Sequence, residues 1–178
     1  NNRFAIHYRR TSNGGAVWQE AEQISMPGRN GNRPRLALDS TGAPHVVWYD
    51  VGDQEVFYAR RTGSGWSTPQ NISNTPPSAI GGTIISQGAV IGIDAEDRLH
   101  VAWMDSANQM RLDSIYYAPY TAVAWERTTI MSRPNLEGDL GMGSGTNVQM
   151  LVGPGNVIHL IWHETDPTGT MSIYNSNN

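Results

Sequence analysis

The sequence contains no cysteine, which excludes disulfides and thiolate-bound zinc as sources of stability. It is also poor in charge: Asp, Glu, Lys and Arg make up 16% of 178 residues, against roughly 25% in an average soluble domain. Basic residues never run longer than the pairs Arg9-Arg10 and Arg60-Arg61, and the net charge is −4, so the electrostatic footprint of a nucleic-acid binder is missing. Apolar runs such as Val157-Ile158 and Leu160-Ile161-Trp162 fall far short of the ~20 residues that span a bilayer, which excludes a membrane span. Asn1 begins the chain with neither an initiator Met nor an apolar leader, so any targeting segment is expected to have been removed or to lie outside it. Lack of cysteine fits a reducing compartment or a bacterial export route. The Ser, Thr, Asn and Gly that replace charge favour a secreted, periplasmic or cell-surface location.

What is abundant is turn chemistry. With 19 Gly and 10 Pro, the chain supplies positive φ and preset turn geometry many times over, which suits short strands and not long helices. Ala16 to Ile24 is the one stretch that reads as a helical turn.

A repeat organises these strands. Leu36 to Asp50, Ile91 to Asp105 and Met150 to Glu164 each run as an apolar strand, a turn, and then His-x-x-Trp-x-acid, with His45, His100 and His159 spaced by 55 and 59 residues. Val56-Phe57-Tyr58 and Ile115-Tyr116-Tyr117 follow the first two copies and lead to Trp66 and Trp125; Ile6-His7-Tyr8 and Trp18 give the same half alone, and Ile173-Tyr174 gives its first strand. With strands named A to D, the chain reads C-D (residues 1–25), A-B-C-D (26–73), A-B-C-D (74–132) and A-B-C (133–178). Four short strands per period of 50 to 60 residues define a blade of a β-propeller, an all-β fold of four-stranded antiparallel sheets. A single blade cannot cover both its apolar faces, so about three blade-equivalents imply a larger or assembled propeller. The remaining blades, or another protein chain, are then the expected partner. A β-sandwich also has many short strands but gives no reason for the His-x-x-Trp-x-acid unit to recur in register.

Asp39-Ser40-Thr41-Gly42, His45-Val46-Val47-Trp48-Tyr49-Asp50 and the closing Gly65-Trp66-Ser67-Thr68-Pro69-Gln70-Asn71-Ile72-Ser73 resemble the repeats of sialidase-like propellers with bacterial neuraminidase repeats. The resemblance implies a propeller fold, an extracellular setting and carbohydrate as ligand. It carries over no catalytic residue, because the arginine triad, the Tyr/Glu pair and the acidic acid/base of active sialidases have no match here.

Blade geometry places the B–C loops and the D–A connections on one rim. Asp50, Asp105 and Glu164 each follow a strand-B Trp by two positions and would open B–C loops; Arg29, Arg33 and Arg35 fall in one D–A connection, and Arg133, Glu137 and Asp139 in another. Such acids and arginines, Arg35 and Arg133 among them, could hold a sugar by charge-assisted hydrogen bonds or a cation such as Ca2+ by oxygen ligation. As solvated strand ends they would instead tolerate substitution. No other cofactor is indicated. His45, His100 and His159 sit on different blades and so are read as structural, with Asp39 and Asp94 each six residues ahead of a His; Gly153 takes that place in the last copy. Trp48, Trp103 and Trp162 are read as packing anchors, with Trp18, Trp66 and Trp125. Leu140 to Gly145 contains Gly-x-Gly-x-Gly but lacks the lysine and helix of a phosphate loop, and is read as an inter-blade connection. The functional expectation is an extracellular binding or scaffold module with a carbohydrate or protein ligand. The alternative is part of a sialidase-like glycoside hydrolase or polysaccharide lyase.

Overall fold

The computed structural model describes residues 3–74, 87–105, 114–120, 124–126, 128–132, 148–165 and 171–177, with the backbone alone at 87, 105, 114, 129–132, 163–165 and 171–177. Arg133 and the Gly-rich segment 140–145 lie outside the described residues.

The described chain is all-β. A strand pair, β1 (His7–Tyr8) with β2 (Glu22–Gln23), is followed by a sheet of β3 (Gly31–Leu38), β4 (Pro44–Asp50), β5 (Glu55–Thr62) and the two short outer pieces β6 (Gly65–Trp66) and β7 (Gln70–Asn71). The next sheet is β8 (Gln87–Ile93), β9 (Leu99–Asp105), β10 (Ser114–Pro119) and β11 (Thr128–Ser132), and the last is β12 (Val148–Val152), β13 (Ile158–Thr165) and β14 (Met171–Asn177). Among the described residues every pairing is antiparallel, and each joins chain neighbours except that β5 pairs with both outer pieces, β6 and β7, as one outer strand of a propeller blade would. The Ala16 to Ile24 stretch forms bends and β2 instead of a helical turn; Pro154–Asn156 makes one 3-10 turn.

Strand β3 begins at Gly31, earlier than the sequence suggests, because it is an edge strand. Pro34 removes no ladder bond there, and the register slips between Asn32 and Arg35 to accommodate it. Arg33 and Arg35 are therefore strand residues and not part of a connection, with Arg35 opposite Val47.

Alternate side chains of each sheet point to opposite neighbours. All seven residues of β4 are buried. Val46, Trp48, Phe57 and Ala59 pack back onto Ile6 and Ile24 of the first pair, whereas Val47, Val56, Tyr58 and Ile72 pack forward onto Leu99, Val101, Trp103 and Ala118. The forward side of the following sheet, with Val90, Ala102, Met104 and Ile115, meets Val148, Leu160 and Trp162. Trp48, Trp103 and Trp162 retain 1%, 0% and 8% of their surface, so each sits inside one inter-sheet layer. A second aromatic contact repeats at the periphery. Trp66 meets Tyr8 of the preceding sheet edge-on at 5.2 Å and 72°, and Trp125 meets Tyr58 at 5.1 Å and 71°. Trp18, the matching residue of the first pair, is 52% exposed.

The A–B hairpins are also joined in series. In the first two hairpins the leading Asp accepts from the backbone N–H groups two and four residues on: Asp39 from Thr41 and Ala43, Asp94 from Glu96 and Arg98. The fourth hairpin residue has positive φ in all three copies, at Gly42 (78°), Asp97 (60°) and Asn156 (61°). From that conformation Asp97 reaches back to the Ser40 N–H (2.7 Å) and hydroxyl (2.5 Å), and Asn156 reaches back to the Ala95 N–H (3.2 Å). Gly42 has no side chain with which to make this contact, and Pro154, at the Ser40 and Ala95 position, has no N–H to offer.

Asp97→Gly and Asn156→Gly keep the left-handed backbone and delete the acceptor. Each is expected to lower unfolding free energy by about 1 kcal/mol in urea titrations; unchanged midpoints would show that the hairpins are not coupled.

Candidate functional site

Two regions collect polar side chains, one at each end of the blades. At the rim of B–C loops and D–A connections, a cavity of about 330 Å³ is lined by Arg3, Arg29, Asn30, Asp50 and Asp53. Asp50 retains only 1% of its surface. Its carboxylate accepts from the backbone N–H groups of Gly52 (2.9 Å), Asp53 (3.0 Å) and Asn30 (3.2 Å), tying the B–C loop to the connection that enters β3. The expectation of a solvated acid at this position gives way to a buried one, because the tight turn after β4 points its free N–H groups inward. Arg29 pairs with Asp53, and Arg3 donates to the Gly28 carbonyl. Arg35 donates to the Pro34 carbonyl at 3.1 Å. Asp105 ends β9 and Glu164 lies within β13 opposite Ser172, so both occupy the blade position of Asp50 in the backbone; their side chains are outside the described residues. Among the described residues, no group of three or more His, Asp or Glu is placed to hold a metal ion.

At the other end, where the A–B and C–D hairpins lie, a cleft of about 290 Å³ opens between two sheets, lined by His45, Tyr58, Arg60, Ser67 and Gln70 on one side and Asp97, Leu99 and Tyr120 on the other. Behind it stands a relay. The His45 ring lies 3.3 Å from Asp39 through Nε2 and 2.8 Å from the Tyr58 hydroxyl through Nδ1. Asp39 also takes the Thr41 hydroxyl, which with its backbone donors holds its carboxyl down at about 2. Burial lowers the His45 pKa against the pull of Asp39 and raises that of Tyr58. A neutral ring between these partners donates from Nε2 to Asp39 and accepts the Tyr58 proton at Nδ1.

The arrangement recurs one sheet on. His100 lies 3.0 Å from Asp94 and 2.6 Å from the Tyr117 hydroxyl. Burial of Asp94 would raise its pKa, but His100, Arg98 and two backbone donors outweigh it and bring it to about 2. In the third copy Gly153 replaces the Asp, and register puts Asn175 where Tyr58 and Tyr117 stand. A Cβ at Gly153 would come within 3.2 Å of the His159 ring, so that ring occupies the space an Asp side chain would need. Both partners change together, which marks Asp-His-Tyr as one unit. The six-residue Asp-His spacing was visible in sequence. The tyrosine was not, since it comes from the neighbouring strand, although its joint replacement with the Asp was a signal that could have revealed it.

Arg60 is the exception among the charged groups here. Its guanidinium forms no hydrogen bond or ion pair with any described residue, whereas every other described arginine has a partner. The chain has no lysine, so all its basic side chains are guanidinium forks. Arg60 and Asp39 also line a second, more open space of about 630 Å³ with Arg10, Arg61 and Gly42, so the two spaces adjoin at these two side chains, as two parts of one groove.

No protein-family model matches the chain, and no curated protein does. Among solved structures it is similar to an exo-1,5-alpha-L-arabinanase from a bovine ruminal metagenomic library, with a TM-score of 0.47 and 13% sequence identity over 97% of this chain. The chain spans 64% of the length of that protein's chain.

Asp50→Ala leaves three inward N–H groups without their acceptor and is expected to cost about 1–3 kcal/mol in thermal or urea unfolding; a change within about 0.5 kcal/mol would mean that the carboxylate is dispensable. Acid should also weaken the fold in two stages. His45 binds a proton more readily unfolded than folded, so stability falls as pH drops below about 6.5. Asp39 and Asp94 titrate near 2 when folded and near 3.8 otherwise, so their contribution, complete above about 4, is lost as pH falls toward 2. Thermal midpoints of wild type and of Asp94→Asn across pH 2–7 would separate the two stages, with the lower one reduced in the variant.

Proposed function

We propose that this chain belongs to an extracellular propeller-type binding module whose ligand is a carbohydrate, held in the cleft between the two central sheets. The observation that supports this reading is the lining of that cleft: Arg60 and Gln70 supply donors, the Tyr58 hydroxyl oxygen supplies an acceptor, and Tyr120 supplies a ring. Ligand sites commonly begin at ~300 Å³, so a space of about 290 Å³ suits one sugar ring, whose hydroxyls need both donors and acceptors and whose C–H face packs on an aromatic plane. The likeness of the repeats to sialidase-like propellers agrees with a sugar ligand.

Binding is favoured over hydrolysis by the state of the acids. A general acid for glycoside cleavage needs a carboxyl whose pKa is raised toward neutrality. Asp39 and Asp94 are shifted the other way, and Asp50 is enclosed by backbone donors. The opposite rim, where Asp50 and Asp53 stand and the backbone gives Asp105 and Glu164 the same blade position as Asp50, is the second candidate surface. Its partner on this reading would be a protein or a cation such as Ca2+. Trp18 (52% exposed), Leu151 (67%) and Ile161 (44%) support a further blade or another chain as neighbour, because Trp66 and Trp125, at the position of Trp18, pack on the preceding sheet, and Val47 and Ala102, at that of Ile161, are covered by the next sheet.

A glycan array probed with the whole chain, beside Tyr120→Ala and Gln70→Ala variants, tests the assignment. Binding to at least one glycan, weakened five-fold or more by either substitution with the thermal midpoint retained, is expected. Binding unaffected by both variants would move the site away from the cleft, and failure to bind any glycan would remove the carbohydrate reading.

A further inference from the structure

The carbohydrate reading can be taken one step further, and the step rests on it. Beside the cleft and the open space, four charges besides that of Arg60 need accounting, and Arg10 is held through its Nε by Gln19. Asp39 is engaged by Thr41, Ala43 and His45; Asp97 by the Ser40 N–H and hydroxyl; and Arg61 by Glu22 and, through its cationic carbon, by the Tyr8 ring at 5.7 Å. His45 carries no charge to add, since burial favours its neutral form. Among the described residues lining the groove, Arg60 is the one cation whose guanidinium has no hydrogen bond or ion pair at all, while Arg10 is held through its Nε. A guanidinium matches a carboxylate by two parallel N–H···O bonds, a geometry that neither a hydroxyl nor water reproduces.

The position of Arg60 adds a second constraint. It stands where the enclosed cleft meets the open space around Gly42, so a ligand that reaches it from the cleft continues outward. At Gly42 the outer space is open: the fourth residue of this hairpin is glycine, and a Cβ there would meet nothing within 4 Å. In the later hairpins the same position carries Asp97 or Asn156, which reaches across to its neighbour. The outer end of the groove is bounded by Arg10, whose Nε is bonded to Gln19, and by Arg61. A ligand confined to one sugar would leave this half of the groove unused.

We propose that the groove from the inter-blade cleft past Arg60 to Gly42 binds a linear acidic polysaccharide internally along its chain, with one uronate carboxylate seated on the Arg60 guanidinium. The neighbouring sugar lies in the cleft against Tyr120, and the following residues leave over Gly42 toward Arg10.

The test uses the whole chain on immobilised pectate, alginate and hyaluronan, each paired with the same polymer after its carboxyl groups have been reduced to primary alcohols. Dermatan sulfate, heparin and a set of neutral glycans complete the panel. Binding to at least one uronate polymer is expected, at least ten-fold weaker after carboxyl reduction and at least ten-fold weaker for Arg60→Gln. That variant should keep its thermal midpoint, because Arg60 is exposed and unpartnered. Equal binding to native and reduced polymers, or to wild type and Arg60→Gln, overturns the carboxylate contact and leaves the carbohydrate reading standing. Binding confined to sulfated or to neutral glycans overturns the uronate assignment in the same way. Binding to no glycan at all overturns both. Oligomers of one to eight residues from the bound polymer give the remaining outcome: affinity that rises with length supports internal binding, and affinity complete at one residue overturns it.

Discussion

Everything in this chain depends on one constraint: a four-stranded sheet with apolar residues on both faces cannot bury itself. Each blade therefore needs a neighbour on each side. Val46 and Trp48 turn back while Val47 turns forward, although they are consecutive residues of one strand. The same division puts Trp103 in the layer behind its sheet and Ala102 in the layer ahead of it. Burial of this kind is not directional and would tolerate sliding. Orientation comes from contacts that allow one placement only, namely the edge-on Trp-Tyr pairs and the polar joints between successive A–B hairpins.

Those joints obey a rule written in three residues per hairpin. A leading Asp closes the turn, the next residue offers an N–H, and a residue with positive φ sends an acceptor to the hairpin before it. Asp, Asn and Gly are the residue types that adopt such a backbone readily, but only the first two carry an acceptor. Gly at 42 and Pro at 154 keep the hairpin shape but lack, respectively, the acceptor and the N–H of this joint.

The same economy of polar groups shapes the candidate site. Buried carboxylates are stable only with donors around them, and here the donors are backbone amides, hydroxyls and imidazole. Asp39, Asp94 and Asp50 are fully occupied in this way, which makes them parts of the scaffold. The Asp-His-Tyr unit crosses three strands of one blade and fixes the Tyr58 ring against Trp125 of the next, so a polar relay and an aromatic contact share one residue. What is left facing solvent between the blades is a small set of donors and one ring, with Arg60 the cation that no described residue pairs.

The sequence by itself determined the blade, its repeat and its packing anchors. Strand periodicity, His-x-x-Trp-x-acid spacing and turn residues are local properties, and a unit stated three times identifies its own equivalent positions. Arg33 and Arg35 read as connection residues, whereas β3 already runs through Pro34, because a strand's tolerance for proline depends on whether it is an edge, which is a fact about neighbours in space. Asp50 read as a solvated strand end for the same reason: nothing in its flanking residues says that three N–H groups converge on it. Only the tertiary structure decided that Tyr58 completes the His45 unit, that Asp97 reaches Ser40 across 57 residues of chain, and that Arg60 is left unpaired. Hydrogen-bond satisfaction is a property of positions in space, and a sequence records only the order in which the partners were laid down.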